Sequence, residues 1–245
     1  MARISIITIS YNARLTIEKT LKSVKDQSYN DIEHIIIDGG SNDNTIEICK
    51  SFPHISKIIS EPDNGVYDAF NKGLELASGD IIGFLNADDF FYDKYSVEEI
   101  ANAFSENQVD IVFADLDYLN EKGEIIRNWI SRPYKKGIFK EAWMPAHPTF
   151  YCKKQVYCHL GGYNSSFRIA GDFELCLRFL EVNQVPSFYL NKKLVNMLTG
   201  GISNNGLNSK FIIYKEELRA FKLHKIRINR LKFLLHKFKK FKQFF

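Results

Sequence analysis

The chain has 245 residues, of which 45% are hydrophobic and 25% charged, with a net charge of +4. That length suits one large α/β domain, or a domain with an appendage, and the ordinary composition excludes a disordered or fibrous chain. No stretch is long and apolar enough to span a bilayer. The first residues enter a strand pattern directly, without a secretory leader. Cys49, Cys152, Cys158 and Cys176 are scattered without metal-ligand spacing, which reads as reduced thiols of a cytoplasmic protein. The charge is uneven: residues 210–245 hold 12 Lys and Arg against Glu216 and Glu217, a local +10, and the remainder carries −6. An acidic body with a basic tail points the tail at an anionic surface.

The first half alternates strand and helix patterns. Strands are expected over Ile4 to Ile9, Ile32 to Ile37, Ser56 to Ser60 and Ile81 to Leu85. Helices are expected over Leu15 to Gln27, Asn44 to Phe52 and Val66 to Ala77, the last stopped by Gly79 as a C-cap. Such alternation implies parallel βαβ units whose strand ends share one edge. The second half is mixed. Ser96 to Ser105 reads as helix, Asp110 to Asp115 and Ile125 to Trp129 as strands, and Arg132 to Pro148 as pocket-forming loops. Then come a short strand Pro148 to Tyr151, a short helix Lys154 to Leu160, a strong helix Asp172 to Asn183 and a last strand Ser187 to Val195. A glycine-rich loop, Gly200 to Gly206, precedes a basic helical tail. The expected organisation is a catalytic domain over residues 1–206, with a nucleotide-binding half (1–95) and an acceptor-binding half (96–206), followed by the tail over 207–245.

The most informative segment is Ile81 to Asp89, IIGFLNADD, an apolar run ending in Asn86, Ala87, Asp88 and Asp89. It reads as a buried strand delivering two carboxylates to the sheet edge where open α/β sheets bind ligands. Adjacent acids there suit a hard divalent cation that also holds diphosphate oxygens. The competing reading is an acidic turn capping the helix near Ser96. Asp38 follows another apolar strand and precedes Gly39 and Gly40, which let a ligand approach the backbone; it can accept from the polar edge of a base or ribose, or cap a helix. Neither G-x-G-x-x-G after the first strand nor G-x-x-x-x-G-K-[ST] occurs, which disfavours a dinucleotide enzyme and a P-loop NTPase.

Taken together, Ser5 to Asn12, Ile35 to Thr45, Ser60 to Gly73, Leu85 to Asp89 and Ile169 to Leu175 resemble, in order and spacing, the inverting glycosyltransferases of family 2, which have the nucleotide-sugar-binding GT-A fold. The resemblance covers roughly residues 3 to 205 and is greatest to bacterial enzymes of O-antigen, capsule and colanic-acid assembly. It implies a Rossmann-like α/β domain with a mainly parallel sheet, a donor that is a UDP-sugar, and Mn²⁺ or Mg²⁺. It implies that Thr8, Ser10 and Tyr11 hold the uracil and ribose, that Asp38 binds the uracil edge beside Gly40, and that Lys72 reaches base or phosphates. The family's Asp-x-Asp falls on Asn86-Ala87-Asp88, with Asn in place of the first acid. Asp88 becomes the best metal ligand, with Asp89 adjacent and His147 as a further contact to the metal or the leaving diphosphate. Asp172 is the implied general base; its usual acidic neighbour is replaced by Gly171. From residue type alone Asp172 also suits an N-cap.

Trp129 and Trp143 suit a sugar-stacking wall or a structural role. In the tail Leu231, Leu234, Leu235, Phe238, Phe241 and Phe245 recur at helical spacing among lysines, a basic amphipathic helix suited to an anionic membrane surface. Its apolar stripe can equally pack on the domain. The expected acceptor is an undecaprenyl-diphosphate-linked saccharide at the cytoplasmic face of the inner membrane. No nucleic-acid partner is expected, since no binding module accompanies the charge. The alternative function is a non-catalytic nucleotide-sugar-binding or scaffold protein of the same assembly.

Overall fold

The computed structural model describes residues 2–198 and 206–241. The glycine pair Gly200-Gly201 and Phe245 of the expectations above lie outside them. In chain order the elements are β1 (Ile4–Ser10), α1 (Ile17–Lys25), β2 (Ile32–Asp38), α2 (Thr45–Lys50), β3 (Ile55–Ser60), α3 (Val66–Leu76), β4 (Ile81–Phe84) and β5 (Asp89–Phe91). There follow α4 (Ser96–Asn107), β6 (Ile111–Leu119), β7 (Ile125–Trp129), β8 (Tyr151–Lys153), α5 (Lys154–Leu160), α6 (Gly171–Cys176), β9 (Ser187–Leu198), α7 (Gly206–Leu223) and α8 (Arg230–Phe241). One mixed sheet runs β3-β2-β1-β4-β8-β6-β9-β5, with β7 beside β6.

β1 to β4 pair in parallel. β8 is antiparallel to both β4 and β6, so β6 runs the same way as β4, and β9 pairs parallel to β6. Six strands thus share a direction, and the mainly parallel expectation holds. The apolar runs of β1 and β2 follow from burial on both faces. Ile7, Ile35 and Ile37 face the core under α3 and α6, and Ile4 and Ile6 face the core under α4.

Four local expectations change. Gly79 is not a C-cap, because Ala77 holds that place in extended conformation. A Cβ at Gly79 would stand 2.8 Å from the Arg3 carbonyl oxygen, so it is glycine because β1 passes so close. The strand placed at Pro148 begins at Tyr151, after a 3-10 turn over His147–Thr149. β5, three residues pairing with β9, carries no period long enough to read. The helix expected over 172–183 begins as α6 and widens into π turns over Leu177–Val182. The tail is not a free appendage either. Phe221 of α7 and Phe233 of α8 are buried in the core that holds Phe173, with edge-on ring contacts between Phe173 and Phe221 and between Phe221 and Phe233.

Candidate active site

Ser10, Asp38 and Ser60 stand in register at the ends of β1, β2 and β3. Asp38 is fully buried. Its Oδ1 accepts from Ser10 Oγ (3.0 Å) and Ser41 Oγ (2.5 Å). Its Oδ2 accepts from Ser60 Oγ (2.7 Å) and from the backbone N–H groups of Ser41 (2.8 Å) and Gly40 (3.1 Å). Five donors fill the lone pairs of one carboxylate. The oxygens that the expected uracil contact would use are thus taken up within the protein: this side chain ties three strand ends and the turn after β2 together. Gly40, at φ +80°, serves the same turn.

Thr8 and Ser10 share one side of β1. Thr8 is fully buried, with Oγ1 3.0 Å from His34 Nε2, and Ser10 is buried against Asp38. Neither side chain is open to solvent. Tyr11, just past the strand, is 66% exposed and is the one of the three expected nucleotide contacts that presents a face to solvent. Lys72 lies nearby on α3, but Asp63 (2.7 Å), Glu61 (2.9 Å) and Asp68 (3.5 Å) surround its ammonium. Hydrogen bonds to Asp63 and Glu61 hold its pKa above the ordinary lysine value.

Beyond β4 the chain turns sharply. The Asp89 N–H donates to the Asn86 carbonyl at 3.0 Å, and Asn86 Nδ2 donates to Asp89 Oδ2 at 3.1 Å. Ala87 packs into the small core with Ile17 and Leu21, and its N–H donates to Ile9 O at 3.2 Å, which fixes the turn to β1. Asp88 is left partly exposed at this strand end. Asp89 is fully buried in β5, with Oδ1 lacking a hydrogen-bond partner. Burial raises the pKa of both carboxyls, and the neighbouring charge of Asp88 raises Asp89 further. Charge at His147 works the other way on Asp88.

His147 stands beside Asp172. Its Nδ1 lies 3.3 Å from Asp172 Oδ2, an ion-pair distance without an aligned hydrogen bond. Asp88, Asp89 and His147 do not form a ready ligand set; among the described residues no group of three or more His, Cys, Asp and Glu gathers to hold a metal. The residues fit a cation through a lone carboxylate. Asp88, partly exposed at the strand end, is the carboxylate here suited to an ion that takes its other ligands from a diphosphate and water.

Asp172 lies in the first turn of α6 and is not its cap, which falls at Ala170. Its Oδ1 accepts the Phe173 N–H at 2.8 Å and its Oδ2 faces His147. Two residues outside the sequence expectations hold the preceding loop. The Tyr67 hydroxyl accepts the Gly171 N–H at 2.7 Å and donates to Ile169 O at 2.5 Å. Glu216 of α7 accepts the N–H groups of Arg168, Ile169 and Ala170 at 2.7, 2.9 and 2.8 Å. A Cβ at Gly171 would stand 2.6 Å from the Tyr67 ring, so the ring occupies the place of the missing acidic neighbour. The signal for Glu216 was its isolation, one of two acids in the basic tail. Trp143 is buried against Phe113 and Phe139 and belongs to the core, not to a sugar wall.

An exposed aromatic ring and two partly exposed carboxylates thus gather at the strand ends, where open α/β sheets bind ligands. Residues 5–169 match the family described as glycosyl transferase family 2, and the chain belongs to that family. It is 32% identical over 193 residues to an uncharacterized glycosyltransferase of Mycobacterium tuberculosis, MT1564, covering 71% of this chain and 68% of that protein. Among solved structures it is similar to S. aureus TarS 1-349 in complex with UDP-GlcNAc, with TM-score 0.72, 16% identity and coverage of 94% of this chain and 69% of the other. It is also similar to the mannosyltransferase PcManGT of Pyrobaculum calidifontis in complex with GDP-Man and Mn²⁺, with TM-score 0.67, 16% identity and coverage of 90% and 63%. At these identities the structural likeness establishes the fold.

Proposed function

We propose that this glycosyltransferase moves a sugar from a UDP-sugar to a hydroxyl of a lipid-linked saccharide in cell-surface polysaccharide synthesis, with inversion at the anomeric carbon and Asp172 as general base. The observation that carries the reading is Asp172 itself: a partly exposed carboxylate in the first turn of α6, with His147 Nδ1 3.3 Å from Oδ2. The backbone before it is fixed by Tyr67 and Glu216.

Asp172 takes the proton of the acceptor hydroxyl as its oxygen attacks C1. The new C–O bond forms on the face opposite the diphosphate, the C1–diphosphate bond breaks, and UDP leaves with the electron pair. His147 stands at ion-pair distance from this carboxylate, and its charge also favours the ionised form of Asp88. Mn²⁺ or Mg²⁺, held by Asp88 and the diphosphate, would neutralise charge on the leaving group. Tyr11 offers its ring face to the base. The complexes of TarS with UDP-GlcNAc and of PcManGT with GDP-Man and Mn²⁺ support a nucleotide-sugar donor and a cation without choosing the base. The exposed apolar residues of α8 support a peripheral site on the inner membrane, where an undecaprenyl-diphosphate saccharide presents its sugar.

The test is UDP release from a panel of UDP-sugars with a synthetic diphosphate-lipid acceptor, with and without Mn²⁺. The expected result is acceptor- and metal-dependent turnover that Asp172→Asn lowers about 10²- to 10⁴-fold with UDP affinity kept. UDP binding without turnover on any acceptor, unchanged by Asp172→Asn, would favour the non-catalytic reading.

A further inference from the structure

The hydrogen-bond accounting at Asp38 leaves the base-binding crevice without the carboxylate expected there, because all its lone pairs serve the protein. A different carboxylate reaches the same place. Gly39 has no side chain, and the point where its Cβ would stand is 3.0 Å from Asp63 Oδ2 and 3.3 Å from Cδ2 of the exposed Tyr11 ring. Asp63, carried on the turn between β3 and α3, thus projects over the backbone between the ends of β1 and β2. Its Oδ1 is clamped by Lys72 Nζ at 2.7 Å, and its side chain is 12% exposed. Among the described residues no donor reaches Oδ2. One oxygen is fixed by a cation from behind, and the other faces the crevice beside an aromatic ring.

We propose that Asp63 reads the nucleobase of the donor: Oδ2 accepts the ring N–H of an imide edge, as uracil and thymine carry it, while Tyr11 covers the base face. The inference rests on the nucleotide-sugar reading above and names the residue that selects the base. The chemistry discriminates in a defined order. Uracil and thymine present one N–H between two carbonyls, which matches a single free carboxylate oxygen. Cytosine presents a bare ring nitrogen there, and lone pair would meet lone pair. Guanine presents two adjacent donors that call for both oxygens, and Lys72 already holds one. Lys72 is then a positioning residue, turning the carboxylate so that one defined oxygen faces the base, and no direct contact of its own with the base is needed.

The experiment is calorimetric binding of UDP, dTDP, CDP and GDP, each with Mn²⁺, to wild type and Asp63→Asn, with the unfolding temperature of both proteins measured without nucleotide. In Asp63→Asn the amide oxygen pairs with Lys72 and the amide NH₂ faces the crevice. The expected result is UDP affinity lowered about 10- to 100-fold, the range of a hydrogen bond to a charged group, together with CDP affinity raised relative to UDP. The ratio is the decisive readout, because a structural role for Asp63 would weaken all nucleotides alike. Equal loss for the four nucleotides, or UDP binding within twofold of wild type at unchanged selectivity, overturns the inference and leaves the transferase reading standing. Preference of the wild-type protein for GDP or CDP overturns the UDP-sugar donor and this inference with it. Comparable affinity for UDP and dTDP in the wild type supports imide recognition.

Discussion

His34 sits within β2 with no exposed surface, its Nε2 3.0 Å from Thr8 Oγ1 and its Nδ1 3.1 Å from His54 Nε2. Burial, and then the charge of His54, push its pKa from 6.5 down to about 3. Between those values the unfolded chain binds a proton that the folded chain refuses, so stability falls as pH falls below 6.5. One full proton is worth about 1.4 kcal/mol per pH unit. Urea unfolding at pH 7, 5.5 and 4.5 should show that slope, and His34→Gln, which keeps a polar partner for Thr8, should lessen it; identical slopes in both proteins would sink the assignment. The same scale marks where sequence reading stopped at the site. The residue types of the edge were legible from their motifs, since strand ends followed by Asp and Gly recur for physical reasons. Which carboxylate faced the ligand was not, because that depends on donors 22 and 28 residues away: Ser60 and Ser10 occupy Asp38, and only the folded sheet brings them there.

Among the elements, α3 and α7 position the site more than any strand does. α3 lays Tyr67 against Gly171 and holds Tyr163 through Asn71, which donates to its carbonyl and accepts its N–H, each at 2.8 Å. α7 reaches the loop before Asp172 from the other side through Glu216. Three backbone N–H groups converge on one carboxylate, and removing it leaves them without their protein partner, though they are only part-buried or exposed. Glu216→Ala is therefore expected to lower kcat at least tenfold with donor affinity unchanged, and Glu216→Gln to recover part of the loss. A fall in unfolding temperature with kcat intact would leave Glu216 a purely structural brace. β1 to β4 and the helices between them were legible because their periods are long and their turns carry Asp and Gly. β5 and the 3-10 turn at His147 were not, since three residues carry no period. The tail was legible as an amphipathic helix, but its inward residue was not: Phe233, outside the expected apolar stripe, is the one that enters the core.

At the scale of the whole molecule, burial of Phe233 determines which way α8 presents its other faces. With Phe233 inward, Leu231, Leu235 and Phe238 are 69%, 54% and 59% exposed. Residues 231, 235 and 238 follow the i, i+4, i+7 spacing of one helix face. The surrounding chain is rich in Lys and Arg, and its +10 stands against the −6 of the body. An anionic bilayer would attract the tail and repel the body, which orients the molecule with α8 on the lipid. Each basic residue at such a surface contributes about 1 kcal/mol. Apolar side chains inserted below the headgroups add to this and do not weaken in salt. Co-sedimentation with vesicles of phosphatidylglycerol and phosphatidylethanolamine is expected to capture the wild-type protein, and vesicles of phosphatidylcholine alone to capture little. Leu231→Asp with Leu235→Asp replaces two exposed side chains, so the unfolding temperature and turnover on a water-soluble acceptor should hold while vesicle binding is lost. Binding that survives this double change but vanishes in 0.5 M salt would mean that α8 meets the surface by charge alone. Because α7 joins α8 to the loop that carries Asp172, a tail lying flat on the bilayer would also set the height of the base above it, at the level where a lipid-linked sugar stands.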